Sequence, residues 1–184
     1  MRATVGALNT DFMKKVMIFI DGSNYYNSLK ISFNLTKIDI KKLVDFLVKD
    51  NNLVNIYYYS APLNQIKFPE KYKKQQKYFA KLQNIKRLKL TLGRLEPRDG
   101  TMVEKGVDVN LAVDMVSCAY NDKFDIAILV SNDADFVPAV LEVQALAKQV
   151  YNVIFPKTKS YHLTKICDES IYIKDISDFL LSDK

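Results

Sequence analysis

The amino-acid sequence predicts an α/β fold in which helices cover both faces of a central, mostly parallel sheet of about five strands. Short apolar runs without polar alternation, such as residues 16–20 and 126–130, are typical of strands that are buried on both faces. Segments with a helical spacing of apolar residues alternate with these runs along the chain. The chain has 184 residues, of which 48% are hydrophobic, and these values suit one domain with a substantial core.

The predicted strands are apolar runs that end at turn-forming or small polar residues. They cover residues 16–20, 54–59, 88–95, 126–130 and 150–155, with a further edge strand expected at 171–173. The predicted helices are segments in which apolar residues recur at helical spacing, as Ile40, Leu43 and Leu47 do. They cover residues 40–48, 70–84, 107–120, 135–148 and 176–181, with a short helical stretch near Tyr161.

Glycine and proline mark several boundaries between these elements. Pro97, Asp99 and Gly100 predict a turn, and Gly106 separates this region from the helix that follows. Pro138 is compatible with its helix because it falls in the first turn, where its missing N–H is not needed.

Residues 1–14 are predicted to be a poorly ordered leader, and residues 15–184 a single domain. The leader lacks the apolar segment of a signal peptide, and the longest apolar runs are too short to cross a bilayer. Cys118 and Cys167 are far apart in sequence and are expected to be free thiols in a reducing compartment. We therefore expect a cytoplasmic protein without a membrane partner.

The amino-acid composition limits the kinds of catalytic site that the protein can contain. The single histidine, His162, excludes paired-histidine catalysis and His-rich zinc sites, so that carboxylates, lysine, tyrosine or a metal must carry any reaction. The net charge is +6 and the pI is about 9.1. A positive surplus of this size is expected in a protein that binds nucleic acid. It is equally expected in a protein whose charge only promotes solubility.

Acidic and small polar residues follow the first and the fourth predicted strands. One loop reads Asp21-Gly22-Ser23-Asn24, and the other reads Ser131-Asn132-Asp133-Ala134-Asp135. In doubly wound sheets the ligand site lies beyond the carboxyl ends of the strands, where the strand order reverses. Asp108, at the start of a predicted helix, would face the same edge.

Carboxylates gathered at one edge of a sheet repel one another and raise each other's pKa. A divalent cation removes this repulsion, and Mg²⁺ and Mn²⁺ prefer carboxylate oxygens. Such ions support phosphodiester hydrolysis because they bind a phosphate oxygen, acidify water and stabilise the leaving oxygen. Taken singly, Asp21 is typical of a turn, and Asp108 or Asp133 is typical of a helix cap. The prediction of a metal site therefore depends on their joint occurrence.

Three segments resemble the NYN domain family in its LabA-like branch, which is related to the PIN nucleases. They are MIFIDGSN at residues 17–24, KGVDVNLAVDM at residues 105–115 and ILVSNDADFVPAV at residues 128–140. They occur in the order and spacing of the family, and the likeness covers about residues 15–156. The resemblance implies a PIN-like, Rossmann-like fold of three layers and cleavage of RNA with Mg²⁺ or Mn²⁺ as cofactor.

The resemblance also implies roles for individual residues. The acids that would bind the metal and carry the catalysis are Asp21, Asp108, Asp133 and Asp135. Asn24 matches the family's Asn three residues after the first Asp and would orient a water or a carboxylate.

Three further residues are supporting candidates. Ser131 and Asn132 belong to the second acidic loop. Asp114 matches an acid of the family but points about 120° away from Asp108 on an ideal helix. Ala134 stands where many members have glycine, a change that affects the conformation of the loop and leaves the acids in place.

A lysine ridge on the predicted helix at 70–84 is the expected RNA-binding surface. It consists of Lys73, Lys74, Lys77 and Lys81. Three of them recur at intervals of four, so that they share one face, which would follow a phosphate backbone. A solvated face without a partner explains the same pattern.

The predicted partner is therefore RNA, and a homodimer is left open. One alternative function is a catalytically weak RNA-binding or regulatory module on the same fold. Another is a phosphatase of the haloacid dehalogenase type, which needs an Asp two residues after its nucleophilic Asp. Ser23 occupies that position after Asp21, which disfavours the phosphatase.

Overall fold

The computed structural model describes residues 13–98 and 101–180, apart from the side chains at positions 97, 98, 101 and 102. The strands are β1 (Lys15–Asp21), β2 (Asn52–Ser60), β3 (Leu88–Leu92), β4 (Arg94–Arg98), β5 (Thr101–Lys105), β6 (Ile126–Val130), β7 (Gln149–Ile154) and β8 (Glu169–Tyr172). The α-helices are α1 (Gly22–Phe33), α2 (Ile40–Val48), α3 (Pro69–Gln83), α4 (Val107–Tyr120), α5 (Val137–Ala145) and α6 (Tyr161–Ile166).

Six of the strands form one parallel sheet in the order β3-β2-β1-β6-β7-β8. β1 lies in the interior of the sheet and pairs with β2 on one side and with β6 on the other. The strand order therefore reverses between β1 and β6, which is where doubly wound sheets bind their ligands. β4 and β5 form a separate antiparallel hairpin.

Helices cover both faces of the sheet, which gives three layers. Ile18 and Ile20 of β1 belong to an apolar cluster with residues of α1, α2 and α3. Met17 and Phe19 belong to a second cluster with residues of α4, α5 and α6. Successive residues of a strand point to opposite faces, so the unbroken apolar run of β1 is explained by burial on both sides.

The α/β fold with a central parallel sheet is confirmed, with six strands in place of about five. The sixth strand is the expected edge strand, which begins at Glu169 and ends at Tyr172. The helix predicted at 107–120 has the predicted bounds. The helix predicted at 135–148 begins as a single 3₁₀ turn, Ala134–Phe136, and continues as α5.

Two predicted elements require correction, and one helix was missed. The strand predicted at 88–95 is divided, because the chain leaves the sheet at Gly93 and pairs with β5 from Arg94 onwards. A Cβ at Gly93 would lie 2.6 Å from the carbonyl oxygen of Lys105, so glycine is required for this approach. Helix α1 was not predicted, because its first residues were assigned to a loop. Over the described residues 176–180 the predicted helix is wrong, since Ser177–Phe179 forms only a 3₁₀ turn.

Some predictions fall on parts of the chain that the structure does not describe. These are the leader, except for Met13 and Lys14, the turn residues Asp99 and Gly100, and residues 181–184, which include the end of the helix predicted at 176–181. Within the described ranges, no helix combines the length and apolar character that a membrane span requires. Cys118 and Cys167 are free, as predicted, and both are buried.

Candidate acidic site at the carboxyl edge of the sheet

The two predicted acidic loops meet at the carboxyl ends of β1 and β6. Ile20 and Val130 are partners in the sheet, so Asp21 and Ser131 follow neighbouring strand ends. The Ser131 hydroxyl donates a hydrogen bond of 3.1 Å to Oδ2 of Asp21. The backbone N–H of Asp133 donates a bond of 3.1 Å to the oxygen of the same hydroxyl. A single serine therefore connects the two acids that the sequence placed at this edge.

Asp21 also begins helix α1. Its Oδ1 accepts a hydrogen bond of 3.1 Å from the backbone N–H of Asn24, which makes it the N-cap of the helix. The next residue must be glycine, because a Cβ at Gly22 would lie 2.6 Å from the carbonyl oxygen of Tyr59. The end of β1 and the start of α1 therefore pack directly against β2.

Amide side chains hold the second loop in place. The backbone N–H of Asn132 donates a hydrogen bond of 3.1 Å to Oδ1 of Asn24, and its side chain donates one of 2.7 Å to the carbonyl oxygen of Thr158. Asn152 of β7 is buried and donates a bond of 2.8 Å to the carbonyl oxygen of Ser131. The sequence analysis did not identify Asn152, although a lone Asn inside the apolar segment 150–155 is the signal that marks it.

Burial dominates the electrostatics of Asp21. The residue is only 4% exposed. This burial raises the pKa of its carboxyl to about 6, and the negative charges of Asp108 and Glu104 act in the same direction. The hydrogen bonds from Asn24 and Ser131 oppose the shift and do not cancel it. Asp21 is therefore a buried acid whose ionised form is destabilised by desolvation and by neighbouring negative charges.

Asp108, Asp133 and Asp135 form the outer part of the site. Asp108 lies in the first turn of α4, where partial desolvation raises its pKa, and the charges of Asp133 and Asp135 raise it further. Oδ1 of Asp133 accepts a hydrogen bond of 3.0 Å from the backbone N–H of Asp135 and caps the 3₁₀ turn. The four predicted acids are thus linked electrostatically or through the backbone.

Glu104 is an acid that the sequence analysis missed. It lies in β5, and its Oε1 accepts a hydrogen bond of 2.7 Å from the Ser23 hydroxyl. Desolvation raises the pKa of Glu104, the Ser23 bond lowers it, and the charge of Asp108 raises it. The hairpin of β4 and β5 therefore carries a further negative charge to the side of α1 that adjoins Asp21.

Asp114 has different neighbours from the other acids. Its Oδ2 accepts a hydrogen bond of 2.9 Å from the Tyr59 hydroxyl and lies 3.9 Å from Nζ of Lys89. The Tyr59 bond connects α4 to the carboxyl-terminal half of β2. Asp114 thus has a clear structural role in joining the helix to the sheet.

The donor atoms of the site suit a hard divalent cation. Carboxylate, amide and hydroxyl oxygens come together here, and the buried charge of Asp21 has acids as its charged neighbours. In residues 13–98 and 101–180, no group of three or more His, Cys, Asp or Glu side chains is arranged to hold a metal. Mg²⁺ needs no such cage, because it binds through one or two carboxylates and keeps several waters. The oxygen donors and the negative charge of the site therefore suit Mg²⁺ or Mn²⁺.

The lysine ridge lies on the outer face of α3. Lys73, Lys74, Lys77 and Lys81 are exposed, whereas Phe79 and Leu82 of the same helix are buried against the sheet. The ridge is thus an accessible positive surface on the face of the protein that α1 and α2 also cover.

Comparison with known proteins agrees with this architecture. A crystal structure of a protein of unknown function from Vibrio parahaemolyticus is similar, with a TM-score of 0.75 and 24% sequence identity. The similarity covers 95% of this chain and 100% of that one, and it supports the fold alone. No curated protein shows significant sequence similarity. The sequence profile of the NYN domain matches residues 15–176, so this chain belongs to the NYN domain family.

Proposed function

We propose that this protein is a metal-dependent ribonuclease of the LabA-like branch that hydrolyses phosphodiester bonds of RNA. The observation that carries the proposal is the buried carboxylate of Asp21, which lies where the strand order reverses and has Asp108 and Glu104 as negative neighbours. A bound cation would stabilise such an acid in its ionised form. Membership of the NYN family supports the proposal, because the family is related to the PIN nucleases.

One or two of the acids Asp21, Asp108, Asp133 and Asp135 would bind Mg²⁺ or Mn²⁺ directly, and the others would add negative charge around the ion. When bound, such an ion would polarise a phosphate oxygen, favour loss of a proton from water and offset the charge of the leaving oxygen. Ser131, Asn24 and Asn132 would keep the acids and the two loops in position. Ser131 and the N–H of Asn24 fix the orientation of the Asp21 carboxylate, and the bond between Asn132 and Asn24 holds the two loops together.

The lysine ridge on α3 would bind the RNA backbone. Its four lysines are exposed, and among the described residues none of them forms an ion pair with an acidic side chain. Free ammonium groups on one helical face attract phosphates without regard to base sequence. This surface would keep an RNA strand close to the acidic edge, which by itself repels phosphate.

A catalytically weak RNA-binding module is the second candidate. One observation favours this candidate: in the described part of the chain, no three acids are arranged so that they could hold a metal ion together. In that case the ridge on α3 would bind RNA, and the acidic loops would only connect the ends of β1 and β6 through their hydrogen bonds.

Incubation with single-stranded RNA tests the two candidates. A nuclease cleaves the RNA with Mn²⁺ or Mg²⁺ and stops when EDTA is added. Asp21→Asn and Asp133→Asn should each lose most of the activity and remain folded. Asp45→Asn is the matched control, because Asp45 is exposed on α2, away from the acidic loops. Asp122 is less suitable, since it pairs with Lys15 and Lys148.

Two outcomes decide against the nuclease. Cleavage that persists in EDTA, or that survives both substitutions, comes from another mechanism or a contaminant. RNA binding without cleavage under any of these metal conditions would favour the binding module.

A further inference from the structure

The loop that follows β2 presents apolar side chains to solvent at the edge of the sheet where the acids lie. β1 and β2 are parallel, and Asp21 is the register partner of Tyr59, so the residues after Ser60 leave the sheet beside Asp21. Ile66 in this loop is 94% exposed, and Phe68, directly before α3, is 37% exposed. Ile66 and Phe68 are thus exposed apolar side chains in the segment that connects the end of β2 to the lysine ridge.

The loop is held in a defined conformation. The Gln75 side chain accepts a hydrogen bond of 2.8 Å from the N–H of Leu63 and donates one of 3.1 Å to the carbonyl oxygen of Ala61. Asn64 accepts bonds from the N–H of Lys67, at 2.8 Å, and from the N–H of Phe68, at 2.9 Å. The backbone that carries Phe68 is therefore held in a defined conformation before any partner binds.

Positive charge surrounds the ring. Nζ of Lys67 lies 5.5 Å and Nζ of Lys71 lies 5.4 Å from the centre of the Phe68 ring. Residues 64–83 contain six lysines and one acid, Glu70. Lys67 and Lys71 are exposed, so their flexible stems allow the ammonium groups to move from the ring to a phosphate.

We propose that Phe68 is a stacking platform for an unpaired base of a single-stranded nucleic acid, with Lys67 and Lys71 binding the adjoining phosphates. This inference rests on the proposed function and adds that the bound nucleic acid is single-stranded. Aromatic rings combined with lysines are the usual means of binding single strands without sequence preference, because every base has a face that stacks. In chain order Phe68 stands between the end of β2, beside Asp21, and the lysine ridge of α3. A strand that follows the ridge would therefore reach the acidic site over this ring.

The absence of tryptophan from the chain permits a direct test. Phe68→Trp introduces a single fluorescent ring at the platform. Tyr120→Trp is the matched control, because Tyr120 is a 78% exposed aromatic residue at the end of α4, near the opposite edge of the sheet. The probe is a 12-nucleotide oligoadenylate RNA, compared with an abasic oligomer of the same length, both in EDTA.

The RNA should quench the fluorescence of Phe68→Trp, the abasic oligomer should not, and Tyr120→Trp should respond to neither. Phe68→Leu should weaken binding of the RNA by about 5-fold or more, the lower end of the contribution of one stacked base, and should bind the abasic oligomer as wild type does.

Three results would overturn the platform. If wild type binds the RNA but Phe68→Trp is not quenched, or is quenched equally by the abasic oligomer, the platform fails while the proposed function stands. A response to vesicles of phosphatidylcholine and phosphatidylserine, without a response to RNA, would make the loop a membrane-binding surface. If wild type neither binds nor cleaves RNA, both proposals fail together.

Discussion

The hydroxyl of Ser131 donates a hydrogen bond of 3.1 Å to the carboxylate of Asp21 and so joins the ends of β1 and β6. The other oxygen of that carboxylate accepts the N–H of Asn24 at 3.1 Å. Two hydrogen bonds to an ionised acid favour its charged form, but here burial has the larger effect, and the pKa rises to about 6. The site therefore holds its central acid in position at the expense of stability near neutral pH.

Replacement of Asp21 by Asn should stabilise the metal-free protein at pH 8. The folded carboxyl has a pKa of about 6, against 3.8 for its ordinary value, so between these pH values the folded state binds more protons than the unfolded state. Stability contributed by this group therefore falls as the pH rises, by up to about 3 kcal/mol above pH 6. An Asn retains an acceptor for the N–H of Asn24 and has no charge to bury.

Thermal or urea unfolding in EDTA measures this effect. Asp21→Asn should unfold at a higher temperature than wild type at pH 8, and the difference should disappear near pH 4, where the acid is protonated in the folded state. Asp45→Asn removes a carboxylate from the exposed face of α2 and is the control for the change in net charge alone. A variant that is less stable than wild type at pH 8 would show that burial does not govern this carboxyl.

The sequence was sufficient to bring Asp21 and Ser131 to one edge, because both follow unbroken apolar runs that belong in neighbouring parallel strands. Glu104 could not be placed in this way. It lies in a short hairpin whose partner strand has a mixed polar pattern, and the pairing of β4 with β5 depends on tertiary contacts at Gly93. Helix α1 was missed for a related reason: Asp21 and Gly22 are typical turn residues, but here they cap a helix.

Mg²⁺ or Mn²⁺ should raise the melting temperature of the wild-type protein. An ion that binds only the folded state stabilises it by about 2.7 kcal/mol at a concentration 100 times its Kd. Asp133→Asn should reduce this shift, because it removes one of the charges that surround Asp108. Melting curves in EDTA and across a titration of each ion provide the measurement. The same shift in wild type and in Asp133→Asn would argue against an ion at this residue.

Asn152→Leu should destabilise the protein and disturb the acidic loop. The Asn152 side chain is buried and donates to the carbonyl oxygens of Leu129 and Ser131, at 3.3 and 2.8 Å. Leucine is of similar size but leaves these buried acceptors without that donor, a loss of about 1–3 kcal/mol in unfolding free energy. Asn121→Leu is the comparison, since Asn121 donates to the carbonyl oxygen of Ser117 at an exposed site. Equal losses in urea unfolding of the two variants would mean that Asn152 does not hold the loop.

Neutralisation of the lysine ridge should weaken RNA binding and flatten its dependence on salt. Each phosphate contact with a single strand releases counterions and contributes about 0.7 to the slope of log affinity against log salt concentration. If Lys73, Lys77 and Lys81 each contact one phosphate, their joint replacement by Gln should reduce that slope by about 2. Measurement of affinity for single-stranded RNA by fluorescence anisotropy in EDTA, over a range of salt concentrations, gives both quantities.

A second triple variant separates this contact from a general effect of net charge. Lys123, Lys165 and Lys174 are exposed, follow α4, lie in α6 and follow the far edge strand β8, respectively, and their replacement by Gln changes the net charge of +6 by the same amount. This control should lose less affinity and keep the wild-type slope, because long-range attraction is screened beyond about 10 Å at 0.1 M salt, whereas a direct contact remains. If the two triple variants lose affinity and slope equally, RNA responds to total charge, and the ridge is a solvated face. A reduced slope confined to the ridge variant would identify α3 as the helix that the RNA backbone contacts.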